Sequence, residues 1–375
     1  MASWQIKEGT QTSLADKIIR SWIDQMAPRN IIVIGASAGG FEALKKLVGD
    51  LPADFAASIF IVWHLSPDIR GVLPQVLNRA GTIHAAHAYD NEPIEPNRIY
   101  VAPPDRHLLV EPGRVRVTRG PKENRFRPAV DPLFRSAAYA YNNRVIGVIL
   151  SGALDDGTAG LWTIKQRGGL AIVQDPSDAE VPSMPQNALR EVAVDYSVPM
   201  AEMARLLVRL ATEQIKETSQ AVMEDDEKNR IEIRIAEEQN AFAMGVMQLG
   251  ELSPFTCPDC HGVLLILKNG NLKRFRCHTG HAFSANSLLA TVTENIEDSL
   301  YTAIRGVEES ILLLNHLGDH FAESNQKKLA ALYFQKANEA EGRAQFVRQA
   351  VLSHEQLSRD SLQLQAGDEN GAAEQ

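Results

Sequence analysis

The chain has 375 residues, 44% of them apolar, and a formal net charge of −9. That length suits two or three domains at about 150 residues each, and the acidic balance argues against nucleic acid as a partner, because its binders meet phosphate with basic side chains. No apolar run approaches the ~18 residues that span a bilayer, no secretory signal opens the chain, and three clustered cysteines cannot close a disulfide set, so no membrane insertion and a cytoplasmic location are expected.

Residues 1–28 read as an N-terminal arm with a helix around 13–25. Between Ile31 and about Leu210, apolar runs alternate with amphipathic segments. The runs are IIVIG (31–35), SIFIVW (58–63), RIYVAP (98–103), VIGVIL (145–150) and LAIVQ (170–174). Helical patterns fall near 40–49, 71–80, 131–142 and 157–167. Such runs between helices predict an α/β domain over 29–212, with a doubly wound, mostly parallel, Rossmann-like sheet covered on both faces. An antiparallel hairpin is expected at 107–118, turning at Pro112-Gly113.

Residues 213–250 read as a linker. MEDDEKNR (223–230) is acidic and solvated in character, and the alternating isoleucines of IEIRIAEE suggest a strand, with a helix left open. A small cysteine module is expected at 251–283 and a helical hairpin at 284–354. Leu289, Val292, Ile296, Leu300, Ile304, Val307, Ile311 and Leu314 form one apolar stripe. Ser284 is placed as its N-cap, with Phe283 and Leu288 stapling the first turn. A second helix is expected at about 325–353, and the polar tail 355–375 reads as disordered.

IIVIGASAGG (31–40) can be a phosphate loop or can present a nucleophile. A dinucleotide site needs an acidic residue at the end of the second strand, about 20 positions on. His64 stands there instead, and no tyrosine has a lysine four residues later, as short-chain dehydrogenases require. In an open parallel sheet, reactive groups collect outside the carboxyl ends of the strands. Ser37 follows one strand, His64 the next, and Asp155 and Asp156 a third. Serine becomes a nucleophile when an imidazole takes its proton and a carboxylate orients that imidazole. Backbone N–H groups at the helix start after Ser37 can hold the developing oxyanion.

The cysteines form a second constellation, C-x2-C-x16-C-x3-H, in CPDC (257–260) and CHTGH (277–281), around two β-like stretches joined by an Asn-Gly turn. Cys257, Cys260, Cys277 and His281 suit a closed, structural, tetrahedral zinc site, with His278 as the reserve ligand. Lys273, Arg274 and Arg276 make a small basic edge, expected as a solvated face. The helices that follow are expected to serve as a homodimer or docking element.

Residues 30 to about 210 resemble the catalytic domain of the CheB-type chemotaxis protein-glutamate methylesterase. The resemblance rests on IGASAGG (34–40), VWHLSP (62–67), IYVAPPDRHL (99–108), RPAVDPLF (127–134), VILSGALDDGTAGL (148–161) and MPQNAL (184–189). It implies Ser37 as nucleophile, His64 as general base and Asp156, rather than Asp155, as the third member. It implies Ala38 and Ala153 as main-chain oxyanion donors, no cofactor for catalysis, and a methylated chemoreceptor as partner. Family members hydrolyse glutamyl methyl esters and deamidate selected glutamines. Two departures bear on substrate range: Ala38 stands where threonine is usual, and Gly152-Ala153-Leu154 replaces a common GMG. A non-catalytic scaffold and a hydrolase of another ester are the rival expectations. About 30 residues precede Ile31, too few for the receiver domain of the best-known members, so control by phosphorylation in cis is not expected.

Overall fold

The computed structural model describes residues 26–64, 71–216, 226–237, 240–269, 272–359, 361–362 and 365. The helix expected at 13–25, residues 65–67 of VWHLSP, residues 270–271 of the Asn-Gly turn and most of the tail lie outside them.

The strands of the first domain are β1 (Met26–Pro28), β2 (Ile31–Ala36), β3 (Ser58–Trp63), β4 (His84–His87), β5 (Arg98–Val101), β6 (His107–Glu111), β7 (Arg114–Thr118), β8 (Val145–Ile149), β9 (Leu170–Gln174), β10 (Tyr196–Val198) and β11 (Gln214–Lys216). Between them run α1 (Gly40–Asp50), α2 (Leu73–Ala80), α3 (Val130–Tyr141), α4 (Thr158–Gln166), α5 (Ser183–Glu191) and α6 (Met200–Thr212). Seven strands form one parallel sheet in the order β10-β9-β8-β2-β3-β5-β4. β6 and β7 form the expected hairpin. Short β1 and β11 pair antiparallel, bringing the two ends of this domain together.

The central strand shows why the runs are apolar throughout. Successive side chains of a strand point to opposite faces. Ile32, Ile34 and Ala36 of β2 pack into one layer with Leu44, Leu47 and Val48 of α1 and Leu207 of α6. Ile31 and Val33 pack into the other with Leu133 and Phe134 of α3 and Leu161 of α4. Both faces are therefore dry. The chain leaves β2 for β3 on one side and returns to β8 on the other, so the carboxyl end of β2 lies at the topological switch point, where open α/β sheets leave a crevice.

The region read as a linker contains a helix, α7 (Asp226–Glu237), and the alternating isoleucines belong to it rather than to a strand. Ile231 and Ile235 enter a core with Ala241, Val246, Leu249, Leu265 and Leu267. The cysteine module is larger than a hairpin. It is a four-stranded antiparallel sheet of β12 (Glu251–Thr256), β13 (Val263–Asn269), β14 (Leu272–Cys277) and β15 (Ala282–Ser284). Helices α8 (Ala285–Glu323) and α9 (Lys327–Leu352) follow. Ser284 caps α8, its side chain accepting from the Ser287 N–H at 2.9 Å. Phe283 and Leu288 share one buried cluster with Cys257 and Cys277. Ala330, Ala337, Ala340 and Ala344 are the buried residues of α9.

Five buried ionic side chains tie the module to the first domain. Arg135 of α3 meets Glu123 at 3.1 Å and Glu232 of α7 at 3.4 Å. Arg276 of β14 meets Glu123 at 2.6 Å and Glu232 at 2.9 Å, and Arg274 pairs with Glu232. Burial alone would push the Glu123 carboxyl up, but Arg135, Arg276 and Arg274 hold it well below the usual carboxylate range. Arg274 and Arg276 are thus buried, not part of a solvated basic edge, and of that trio only Lys273 faces outward. The reason is tertiary: acids from two other segments meet them.

Replacing Glu232 by alanine leaves three buried guanidinium groups facing one carboxylate. Breaking such a buried cluster costs about 3–5 kcal/mol. Urea denaturation of Glu232→Ala should show a loss of that size, and an unchanged midpoint would contradict the role given to this network.

Candidate active site

Ser37 sits where β2 ends and the chain turns into α1. Its N–H donates to the Ser151 carbonyl at 3.0 Å. Its carbonyl accepts from the Gly40 N–H at 2.9 Å and from Trp63 Nε1 at 2.9 Å. Gly39 makes the turn at φ 72, and a Cβ there would lie 2.5 Å from Ser151 Oγ. Left-handed backbone and close approach together call for glycine. The turn leaves Ser37 half-buried and Ala38 exposed.

His64 follows β3, its N–H bonded to the Ala36 carbonyl at 3.1 Å. Ring atom Nε2 lies 2.8 Å from Asp156 Oδ2. Nδ1 is buried and has no hydrogen-bond partner among the described residues. Phe126 stacks on the imidazole with ring centroids 3.7 Å apart and planes 10° from parallel. In the neutral ring, a proton on Nε2 donates to the carboxylate and leaves the lone pair on Nδ1. The ring nitrogen left able to accept a proton is then Nδ1, whereas in the usual triad the carboxylate takes Nδ1–H.

Asp156 lies in the loop after β8 and is 2% exposed. Besides His64, its Oδ2 accepts from the Val130 N–H at 2.6 Å. Its Oδ1 accepts from Asn124 Nδ2 at 2.9 Å and the Asp131 N–H at 3.3 Å. Val130 and Asp131 open α3, so the carboxylate rests on a helix N-terminus, where orphan N–H groups and the dipole favour an anion. Neighbouring Asp155 instead accepts from Ser284 Oγ at 2.7 Å. Leu154 holds a left-handed backbone at φ 63. Its carbonyl is pinned by Ser183 Oγ at 3.1 Å and Asn187 Nδ2 at 2.9 Å. A non-glycine residue in that conformation costs about 1–2 kcal/mol, and those two bonds hold it there.

Four residues near the site carried no role in the sequence reading. Asn124 and Phe126 belong to the loop 119–128, which covers His64 and Asp156. His107 sets this loop, Nε2 donating to the Pro121 carbonyl at 2.9 Å and Nδ1 accepting from the Ala129 N–H at 3.3 Å. Burial pushes the pKa of His107 down, which keeps the ring neutral as those two bonds require. Asp131 accepts from Asn124 Nδ2 at 2.9 Å and the Gly160 N–H at 2.7 Å. Burial, with the Asp156 charge beside it, pushes Asp131 up to about 7. RPAVDPLF contains Asp131, but nothing in its spacing separates a support from a surface acid.

A cleft of about 450 Å³ opens over these groups. Ser37, Ala38, Trp63, His64 and Phe126 line it, with Lys122, Arg125, Arg127 and Asp105 at its charged wall. Arg127 is bound to Asp105 at 2.6 Å and Arg125 is paired with Glu294, which leaves Lys122 as the remaining charge of that wall. Ala38 borders the cleft; Ala153 is exposed and is not among the residues that line it. Gly152 packs directly on Ser37: a Cβ there would lie 2.8 Å from Ser37 Cβ and 2.1 Å from Met184 Sδ. The 152–153 peptide is thus beside the serine. A separate cavity of about 480 Å³, lined by Asp131, Asp155, Thr158, Ser284, Asn286 and Leu289 among others, contains neither Ser37 nor His64. Of the two, the cleft is the one lined by Ser37 and His64.

Cys257, Cys260, Cys277 and His281 bring one ligand atom each within 4.8 Å of one another. Cys260 Sγ and Cys277 Sγ are 3.7 Å apart, and His281 Nδ1 is 3.7 Å from both Cys257 Sγ and Cys277 Sγ. A tetrahedral zinc with 2.3 Å bonds to sulfur has S···S edges of about 3.8 Å. The donor set and these three distances fit a tetrahedral metal. The Thr279 hydroxyl, 3.0 Å from Cys277 Sγ and 3.1 Å from Cys260 Sγ, can donate to a thiolate. His278 is exposed and packs against Gly262, outside the set.

The sequence matches the model of the CheB methylesterase family over residues 32–207. A Leptospira interrogans protein named as a putative protein-glutamate methylesterase/protein-glutamine glutaminase is 41% identical over 180 residues, 48% of this chain and 93% of that protein. A Methanosarcina mazei protein-glutamate methylesterase/protein-glutamine glutaminase is 33% identical over 195 residues, 50% of this chain and 53% of the relative. The crystal structure of the Thermotoga maritima CheB methylesterase catalytic domain is 34% identical, covers 48% of this chain and 98% of its own, and has a TM-score of 0.47.

A neutral His64 facing the Asp156 carboxylate through Nε2 carries its proton there. Nitrogen-detected NMR of the neutral protein should show His64 protonated at Nε2 and bare at Nδ1, and the opposite tautomer would overturn this description.

Proposed function

Because the chain belongs to the CheB methylesterase family, we propose that it is a protein-glutamate methylesterase using Ser37, His64 and Asp156. The observation that carries this reading is the 2.8 Å bond from His64 to Asp156, with Ser37 and His64 lining one cleft and Nδ1 without a hydrogen-bond partner among the described residues. Ser37 Oγ attacks the ester carbonyl while its proton passes to Nδ1. Asp156 steadies the imidazolium through Nε2–H. The oxyanion takes hydrogen bonds from the Ala38 N–H and from the 152–153 peptide through the Ala153 N–H. As the tetrahedral intermediate collapses, the C–O bond to the methoxy group breaks, and methanol leaves with the proton from Nδ1. Water then repeats the sequence in reverse roles, freeing the glutamate and restoring Ser37. The same steps on glutamine release ammonia, which gives the glutaminase activity.

Lys122 at the cleft wall supports a substrate that carries carboxylates, as a methylated chemoreceptor helix would. No helix among the described residues is long and apolar enough to cross a membrane, and reduced cysteines suit the cytoplasm. We assign residues 29–212 to the esterase. The cysteine cluster would hold zinc as a closed structural site, with Cys257, Cys260, Cys277 and His281 as ligands. Leu312, Leu313 and Phe346, exposed on α8 and α9, support a second copy docking there.

Purified protein should release methanol from methylated receptor, and Ser37→Ala should lower turnover by about 10⁴-fold or more. Unchanged turnover in that variant would sink the assignment. Metal analysis should find about one zinc per chain, and none after Cys257→Ser combined with Cys277→Ser; zinc-free protein with an intact fold would refute the site.

A further inference from the structure

We infer that Asn124 is a positioning residue for the His64–Asp156 pair, and that the cysteine module sets its position. This rests on the proposed esterase reading and says what that site needs beyond its three residues. Asn124 is buried and uses its whole hydrogen-bonding capacity in two directions. Inward, Nδ2 donates to Asp156 Oδ1 and to Asp131 Oδ2, each at 2.9 Å. Outward, Oδ1 accepts from the Ser284 N–H at 2.8 Å and from Ser287 Oγ at 3.1 Å. Turning the amide over would set its NH2 against the Ser284 N–H and its oxygen against two carboxylates, so one orientation is fixed.

The outward partners belong to the metal-binding module. Ser284 ends β15 and caps α8, and Ser287 lies in the first turn of that helix. The backbone is joined as well. The Asn124 N–H donates to the Ala282 carbonyl at 2.7 Å, and the Ala282 N–H donates to the Lys122 carbonyl at 3.1 Å. Ala282 directly follows His281. A continuous line of bonded atoms therefore runs from the Cys3His cluster through Ala282 to Asn124 and on to Asp156. Glu123 and Arg125 add ion pairs on either side, to Arg276 and Glu294. Phe126 of the same loop lies on the His64 ring. The loop is thus held from outside by the module and holds both members of the base from inside. A module that merely packed alongside would not occupy both lone pairs of the one side-chain amide that, among the described residues, donates to the catalytic carboxylate.

Three variants of the full chain test this. Asn124→Asp keeps the outward acceptor and cannot donate inward, Asn124→Ala loses both, and Ser287→Ala loses one outward bond. Misplacing a catalytic group by about 1 Å can cost about 10²-fold. Turnover per titrated active site should fall by about that factor in both Asn124 variants and by a smaller factor in Ser287→Ala, with KM for methylated receptor within about twofold. The far-downfield proton resonance of the His64–Asp156 bond should shift or broaden in the Asn124 variants. It should do the same when a chelator removes metal from the wild-type chain. Variants that lose activity only in proportion to lost folded protein, with wild-type turnover per site and an unmoved resonance, would overturn the inference. An inactive wild type would instead strike the esterase reading, and the resonance would still decide the role of Asn124.

Discussion

A carboxylate sealed from water at the end of a β-strand must be given hydrogen bonds, and the architecture around Asp156 is organised by that requirement. Removing an ion from water carries a penalty of several kcal/mol unless local donors replace the lost solvation. Among the described residues four donors do so: His64, Asn124 and two N–H groups that open α3. Each comes from a different part of the chain's logic. The imidazole comes from a strand end, the two N–H groups from a helix start, and the amide from a loop whose own position depends on the C-terminal module. An exposed carboxylate would need none of this, and it would orient the imidazole weakly.

The same requirement links the two halves of the molecule. α3 supplies the N–H groups to Asp156, and one turn further on it supplies Arg135 to the buried ionic cluster. Glu123 of that cluster is the immediate neighbour of Asn124. The cluster thus fixes both donors' elements against β14, which ends in Cys277. A zinc ion closing the cysteine site would stiffen this end of the frame far from the reacting atoms. Its part in catalysis would be mechanical, exerted through Ala282, Ser284 and Ser287.

Much of this was readable from residue order. Ser37, His64 and the pair Asp155-Asp156 stand out because each follows an apolar run, and a parallel sheet places such ends on one edge; the family resemblance singled out Asp156. The Cys3His cluster follows from spacing, and the cap at Ser284 from its place before a periodic stripe. The supports were hidden for physical reasons. Asn124 and Phe126 sit in an irregular loop, and neither residue type advertises chemistry. Arg274 and Arg276 look solvated in a one-dimensional reading because their acidic partners are about 40 and 150 residues away. The helix α7 was obscured by an isoleucine at every second position. Two of those side chains enter the core, while Glu232 between them is buried by ion pairing rather than by apolar packing. Periodicity cannot show a buried charge that tertiary partners make affordable.

The central claim is that Ser37 is a nucleophile activated by His64 and Asp156. Peptide mapping of the folded chain after treatment with a fluorophosphonate addresses it directly. A single adduct on Ser37, formed far more slowly in His64→Ala and in Asp156→Asn, is the predicted result. An unlabelled Ser37 in folded protein, or an unchanged labelling rate in those variants, would contradict it.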